Sequence, residues 1–484
     1  TDRAAYISAL IGSVGSENMA NTQANNFAQT HQIIHQQPNT AEGFSATLFR
    51  DRQSGEYTLA IRGTESDRIS DLISDVGRAD IADIGADGIA VSQALDLFNL
   101  YQLLTARQGQ AVYRYTLAEQ PGQNSIPLDG FGWVVVTPVG IAAADGVLTD
   151  KRFTVTGHSL GGHLALIMQR LAPAFVDAVY TYNAPGLDTA LIPGNDNSER
   201  FFNALSQAQA AATGATTLGV NGFASDRLHN LAVPLDVISD IGNIPGDQTF
   251  LFSEVPNPPI GWASAHSISR MTDSLAVYDL LGELDPNLDP SSVERILEAA
   301  SNRYQNTLEV TVNDLGALFG ADNPVATDNR DQLYQAIEAI RGTLPFQQAA
   351  GWMQVLPLSG LDPSAVAAAA GVDSAEGIAY RYALRHLVPF AIVGDSGIYA
   401  SHNALGELDL FDPESGGGTL TTDYLADRAA MLQLQNRIHG GDLRTGSIRG
   451  VDRVEYHERE TDLLLNTTVI GPLDYRAVIF DGNS

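Results

Sequence analysis

The feature that most limits how this chain can fold is Gly157-x-Ser159-x-Gly161 and its surroundings. A β-rich run, residues 152–156 (RFTVT), leads straight into it. Behind it Leu164, Ile167, Met168 and Leu171 recur at helical spacing and stop before Pro173. A serine on a tight turn between strand and helix has its hydroxyl held above a sheet, with the N–H groups of the helix start aimed where a reacting carbonyl would sit. Glycines on both sides let neighbouring backbone approach the turn. Residues 178–182 (AVYTY) and 228–238 (LHNLAVPLDVI) read as two further strands, and strand, helix, strand with short connections predicts parallel pairing under a helical cover. Residues 44–49 (FSATLF) and 57–61 (YTLAI) flank 51–55 (DRQSG) as a hairpin. The predicted class is α/β: a mostly parallel sheet with lid-like insertions, followed by a C-terminal mixed α+β region.

Composition narrows the chemistry. The 484 residues carry 57 acidic against 27 basic side chains, a formal net charge of −30, and no cysteine. Thiol nucleophiles, disulfides and zinc-thiolate sites are therefore excluded. The charge repels nucleic-acid phosphates, so no nucleic-acid partner is expected. No apolar run approaches the roughly 18–20 residues of a membrane-spanning helix; the longest, 133–144, contains Thr137 and Pro138. The sequence starts at Thr1 without a charged-then-apolar leader, so a signal peptide is expected to be absent or removed. Cysteine-free acidic chains are common among secreted bacterial proteins, and an extracellular location is the expectation.

At roughly 100–200 residues per domain the chain should hold two or three. The proline- and aspartate-rich stretch 284–290 (LDPNLDP) reads as the break, giving a catalytic domain over 1–285 and a mainly helical, then mixed, region over 286–484. Beyond it Ser291-x-x-Glu294 resembles a capping box opening a helix to about residue 304. A second helix is predicted over 327–341, with Leu333, Ile337 and Ile340 on one face and Gly342 as its stop. Within the first domain residues 67–88, 108–150 and 203–223 interrupt the plan and read as lids or insertions. No repeat of period 20–50 appears.

A serine of this kind needs a base, and on such a sheet the partners follow in the order serine, acid, histidine. His31, His35 and His229 come too early, His158 occupies an x position of the motif and is expected to support the turn, and His163 lies on the helix behind the serine. Of the remainder, His266 in the loop Gly261-Trp262-Ala263-Ser264-Ala265-His266-Ser267 lies at a chain distance that fits completion of one sheet. The acid belongs after the last well-formed strand, where Asp236 and Asp240 both qualify and Asp236 is favoured.

Together Arg62-Gly63-Thr64-Glu65, Gly157-His158-Ser159-Leu160-Gly161-Gly162, Asp236-Val237-Ile238 and the loop bearing His266 resemble the class 3 (fungal-type) lipases of the α/β-hydrolase superfamily, over about residues 40–285. The arrangement is also similar to lipase and phospholipase domains of secreted bacterial calcium-binding repeat proteins; residues 380–410 and 478–483 look like the segments that follow such a domain there, although no nonapeptide repeat is present. The resemblance implies a triacylglycerol lipase or phospholipase A1 with a mobile lid, a lipid ester substrate and transient contact with a lipid interface. It also implies Ser159 as nucleophile, Asp236 as acid and His266 as base, with an oxyanion hole from the N–H groups of Leu160 and Thr64. The insert 108–150 and everything after 285 depart from a small fungal-type lipase. A peptidase or amidase on the same fold, and a non-catalytic module of a secreted adhesin or toxin, are the competing readings.

The serine chemistry requires no cofactor. Calcium is a candidate accessory ion, because Asp80, Asp83 and Asp87, and again Asp322, Asp328 and Asp331, form oxygen-rich stretches, though none has the spacing of an EF-hand and each also reads as a solvated acidic face. His31-x-x-x-His35 would bring two imidazoles together on a helix, with no third ligand nearby.

Overall fold

Parallel strands around Gly157 form the centre of the main sheet. The computed structural model describes residues 3–11, 18–63, 84, 87–188, 196–214, 222–234, 236–254, 265–301, 306–321, 324–326, 329–439, 446–448, 451–457 and 464–469. The chain divides into two compact units, Thr1–Leu251 with Pro258–Arg270, and Phe252–Asn257 with Met271–Ser484. The division thus falls at Met271, inside a helix, and not at the proline-rich stretch near 285.

The first unit opens with helices α1 (Arg3–Ile11) and α2 (Asn21–Thr30), then strands β1 (His31–Gln37), β2 (Ala46–Asp51) and β3 (Tyr57–Ile61). His31 and His35 therefore lie on a strand and not on a helix. In HQIIHQQ the pairing with β2, His31 opposite Asp51 and His35 opposite Leu48, prevails over the helical spacing. Next come α3 (Val91–Thr105), β4 (Ala111–Ala118), β5 (Ser125–Leu128), β6 (Gly132–Ile141), β7 (Phe153–His158), α4 (Leu160–Leu171), β8 (Val176–Tyr182), α5 (Asn197–Thr213), β9 (Leu228–Ala232) and β10 (Gln248–Phe250). Among the described residues the main sheet runs β1-β2-β3-β7-β8-β9-β10. Its first two pairings are antiparallel and the other four parallel.

Most of the interruption at 108–150 is a separate antiparallel sheet, β4-β6-β5. Tyr115 of β4 packs edge-on against Phe98 of α3, with ring centroids 5.0 Å apart. The Asn99 side chain satisfies the Tyr115 main-chain N–H and C=O at 2.8 Å each. The alanine-rich start of 203–223 continues α5, which ends at Gly214 in a left-handed cap. All twelve residues of α4 are buried, so it is apolar nearly all round, as a fully enclosed helix must be. Its one charged residue, Arg170, is offset by a bidentate pair to Glu199 at 2.7 and 2.6 Å and by stacking 4.1 Å over the Phe202 ring.

The second unit is built on helices α6 (Ile268–Leu284), α7 (Pro290–Ala300), α8 (Thr307–Phe319), α9 (Arg330–Gly342), α10 (Leu344–Ala349), α11 (Pro363–Ala370), α12 (Ala375–His386) and α13 (Thr422–His439). The antiparallel pair β11 (Gln354–Pro357) and β12 (Phe390–Val393) accompanies them, and a three-stranded sheet follows, β13 (Gly446–Ile448), β14 (Val451–His457) and β15 (Leu464–Val469). Its core gathers Leu280, Leu284, Ile296, Leu315, Ile340 and Ile392. The cap of α7 is Asp289 and not Ser291: Pro290 takes the first helical position, where a missing N–H costs nothing, and the Asp289 carboxylate accepts from Ser292 N at 3.0 Å. Helix α9 starts at Arg330, later than the pattern predicts, because Asn329 caps it. No described helix is long and apolar enough to cross a membrane.

Candidate active site

The parallel strands end on one edge of the sheet, and the candidate residues sit just beyond those ends. Ser159 follows β7 with φ 55° and ψ −129°, a conformation that L-residues rarely adopt. Its N–H donates to Tyr182 O at 2.9 Å, continuing the β7–β8 ladder into the turn. The glycines are there for contact distance. A Cβ on Gly161 would lie 2.2 Å from Ile61 O, one on Gly157 2.2 Å from Gly161 C, and one on Gly63 2.6 Å from His158 O.

The structure brings Ser159, Asp236 and His266 together. Ser159 Oγ lies 2.9 Å from His266 Nε2, and Asp236 Oδ1 lies 2.9 Å from His266 Nδ1. An ionised carboxylate can only accept, so Nδ1 carries the proton and Nε2 faces the serine as an acceptor. All three side chains are at most 2% exposed. Asp236 is held by its own turn: Oδ1 accepts from Ile238 N at 3.2 Å and Oδ2 from Ser239 N at 3.1 Å. The strand read over 228–238 stops at Ala232, and the turn from Asp236 to Ser239 follows it. Asp240 is exposed on the far side of that turn.

His158, in the motif, and His163, on the helix behind it, both bond main-chain groups. His158 donates from Nε2 to the His266 main-chain oxygen at 2.7 Å and packs its ring 4.6 Å from the His266 ring. Loss of water around it, with His266 beside it, pushes its pKa down to about 3. It therefore supports the histidine loop. His163 donates from Nδ1 to Gly186 O at 2.9 Å and accepts at Nε2 from Ala90 N at 3.3 Å; burial lowers its pKa to about 4.

Leu160 stands at the first position of α4, where helix N–H groups have no intrahelical acceptor. Thr64 lies outside the described residues, as do Glu65, Asp80, Asp83, Asp322 and Asp328. Among the described residues no group of three or more His, Asp or Glu side chains is placed to hold a metal ion.

Asn183 is a site residue that the motifs do not announce. It follows β8, with φ 46°, and is fully buried. Its amide donates to Ala265 O at 2.9 Å and accepts from Val233 N at 3.0 Å.

Sheet order and the strand–serine–helix turn together define an α/β-hydrolase fold. No protein-family model matches the chain, and no curated protein sequence matches it. Among solved structures it is similar to the Lip2 lipase of Yarrowia lipolytica, at 19% identity over 54% of this chain and 81% of that one, with a TM-score of 0.27. The nonglycosylated form of the same lipase gives 17% identity, 54% and 80% coverage, and a TM-score of 0.26. Values this low say nothing of the chemistry of this chain.

Proposed function

We propose that the protein is a serine carboxylic ester hydrolase acting on lipid esters. The observation that carries this reading is the unbroken line from Asp236 through His266 to the Oγ of a serine held at positive φ. As Oγ attacks the ester carbonyl, its proton passes to His266 Nε2, and Asp236 stabilises the imidazolium across Nδ1–H. The carbonyl oxygen becomes an oxyanion facing the N–H of Leu160, with Thr64 as the second donor. Collapse of the tetrahedral intermediate breaks the bond to the alcohol, which leaves with the proton from Nε2. Water then attacks the acyl-serine, giving up a proton to His266; the acid departs and the proton returns to Ser159.

The lipid substrate, triacylglycerol or phospholipid at the sn-1 ester, rests on the resemblance of the Arg62-Gly63-Thr64 and Gly157–Gly162 segments to class 3 lipases. A secreted enzyme that meets its substrate at a lipid interface follows from the same likeness. With a net charge of −30, attachment to anionic lipid would rely on apolar surface or on calcium bridging to carboxylates.

The test combines a fluorophosphonate probe with a substrate panel. Labelling of the wild-type chain and none of Ser159→Ala is expected, together with hydrolysis of triacylglycerol or phospholipid in preference to peptide amides. Ester hydrolysis unchanged in Ser159→Ala overturns the serine assignment, and cleavage of amides alone overturns the lipid one.

A further inference from the structure

We propose that Asn183 is a positioning residue that sets the acid and the histidine in register with each other; this rests on the reading of Ser159, Asp236 and His266 as the triad. The three come from segments far apart in the chain, and a hydrogen-bonded line with both distances at 2.9 Å requires the loops after β9 and before α6 to be held against a common reference. The end of β8 lies between the ends of β7 and β9 in the sheet, so it is the natural place for that reference. One carboxamide serves both loops. Its oxygen takes the N–H of Val233, three residues before Asp236, and its NH2 holds the carbonyl of Ala265, the residue before His266.

The chemistry calls for asparagine. The position needs an acceptor on one side and a donor on the other, in a space closed to water. It also needs a residue that tolerates left-handed backbone, and φ is 46°. Asn183 N–H donates to Leu231 O at 2.9 Å, so the main chain that carries the amide is itself fixed to β9. His158 grips the histidine loop one residue further on, at the His266 oxygen, but makes no bond to the acid loop in the described structure. Asn183 joins the two.

Two full-length variants test this. Asn183→Gly keeps the backbone conformation available and removes both side-chain bonds; Asn183→Asp keeps the shape and the acceptor facing Val233 but turns a second acceptor towards the Ala265 carbonyl. Each is assayed well below its own unfolding midpoint, with a water-soluble p-nitrophenyl ester and by the rate of phosphonylation with a fluorophosphonate. In both variants kcat and the phosphonylation rate should fall by roughly 10- to 100-fold with KM little changed. A purely structural role would lower the unfolding midpoint and leave both rates as they were, and that result overturns the proposal. If Asn183→Gly does not fold, Asn183→Asp alone decides: reaction at the wild-type rate sinks it. A wild-type chain that takes no label would instead show that the catalytic reading has failed, and this inference with it.

Discussion

Asp236 Oδ1 and His266 Nδ1 stand 2.9 Å apart, with both side chains almost wholly out of solvent, while Asp240 faces water. This contrast favours Asp236 over Asp240 as the carboxylate that orients the imidazole. Asp236→Asn should reduce turnover on the order of 10⁴-fold, because an amide can present its NH2 to Nδ1 and so favour the unproductive tautomer. Asp240→Asn should leave turnover unchanged. Steady-state kinetics on a soluble ester checks both, and the reverse order would move the acid to Asp240.

The backbone of Ser159 stores strain that glycine would release. Conformations of this kind cost about 1–3 kcal/mol for a residue with a Cβ. Ser159→Gly and Ser159→Ala lose the same hydroxyl, so both should be inactive. The glycine variant should nevertheless be the more stable by about 1 kcal/mol after its extra chain entropy is counted. Urea unfolding of the pair reads the difference directly, and a glycine variant less stable than the alanine one would mean the turn is unstrained.

Two glycine-to-alanine changes should have opposite signs. At Gly161 the new methyl meets the backbone oxygen of Ile61 at 2.2 Å, with no flexible side chain to give way, and the fold should lose roughly 1–3 kcal/mol. At Gly282, within α6, a methyl meets nothing within 4 Å, and the gain in helix propensity should stabilise by about 0.5–1 kcal/mol. Chemical denaturation of both variants against the wild type measures this.

Acid should weaken the protein through its buried neutral histidines. His163 has a folded pKa near 4 against an ordinary value of 6.5. Between those values the unfolded chain binds more protons, so stability rises with pH there and is lost as pH falls from 6.5 towards 4. His439, held to Ala299 O and likewise lowered to about 4 by burial, acts in the same direction in the second unit. Urea midpoints across that window should fall with pH, and more shallowly in His163→Gln, which cannot take up the proton.

The serine, its glycines and the parallel strands were legible because each follows from local spacing: a strand, a turn with no room for Cβ atoms, and an apolar helix behind it. Chain order led to His266 and to the pair Asp236 and Asp240 once the serine was placed. Asn183 was not, since its bonds reach 50 and 82 residues away in sequence and no spacing encodes such a meeting. The histidines at 31 and 35 misled for the opposite reason: a spacing of four suits a helix, but the neighbouring β2 offered a strand partner. At Asp289 the reading stopped two residues late, because an aspartate before proline caps a helix as well as the serine that follows.

The first unit is discontinuous. It runs to Leu251, yields residues 252–257 to the second unit, and resumes at Pro258–Arg270, the segment that carries His266. During synthesis Ser159 and Asp236 are therefore translated before His266, so a nascent chain halted at 251 would hold the serine without the imidazole that faces it. The serine and the imidazole could meet only after the return segment emerges from the ribosome. An expression fragment cut at the apparent sheet terminus would likewise lack that imidazole, and a fragment must extend past His266 to include it.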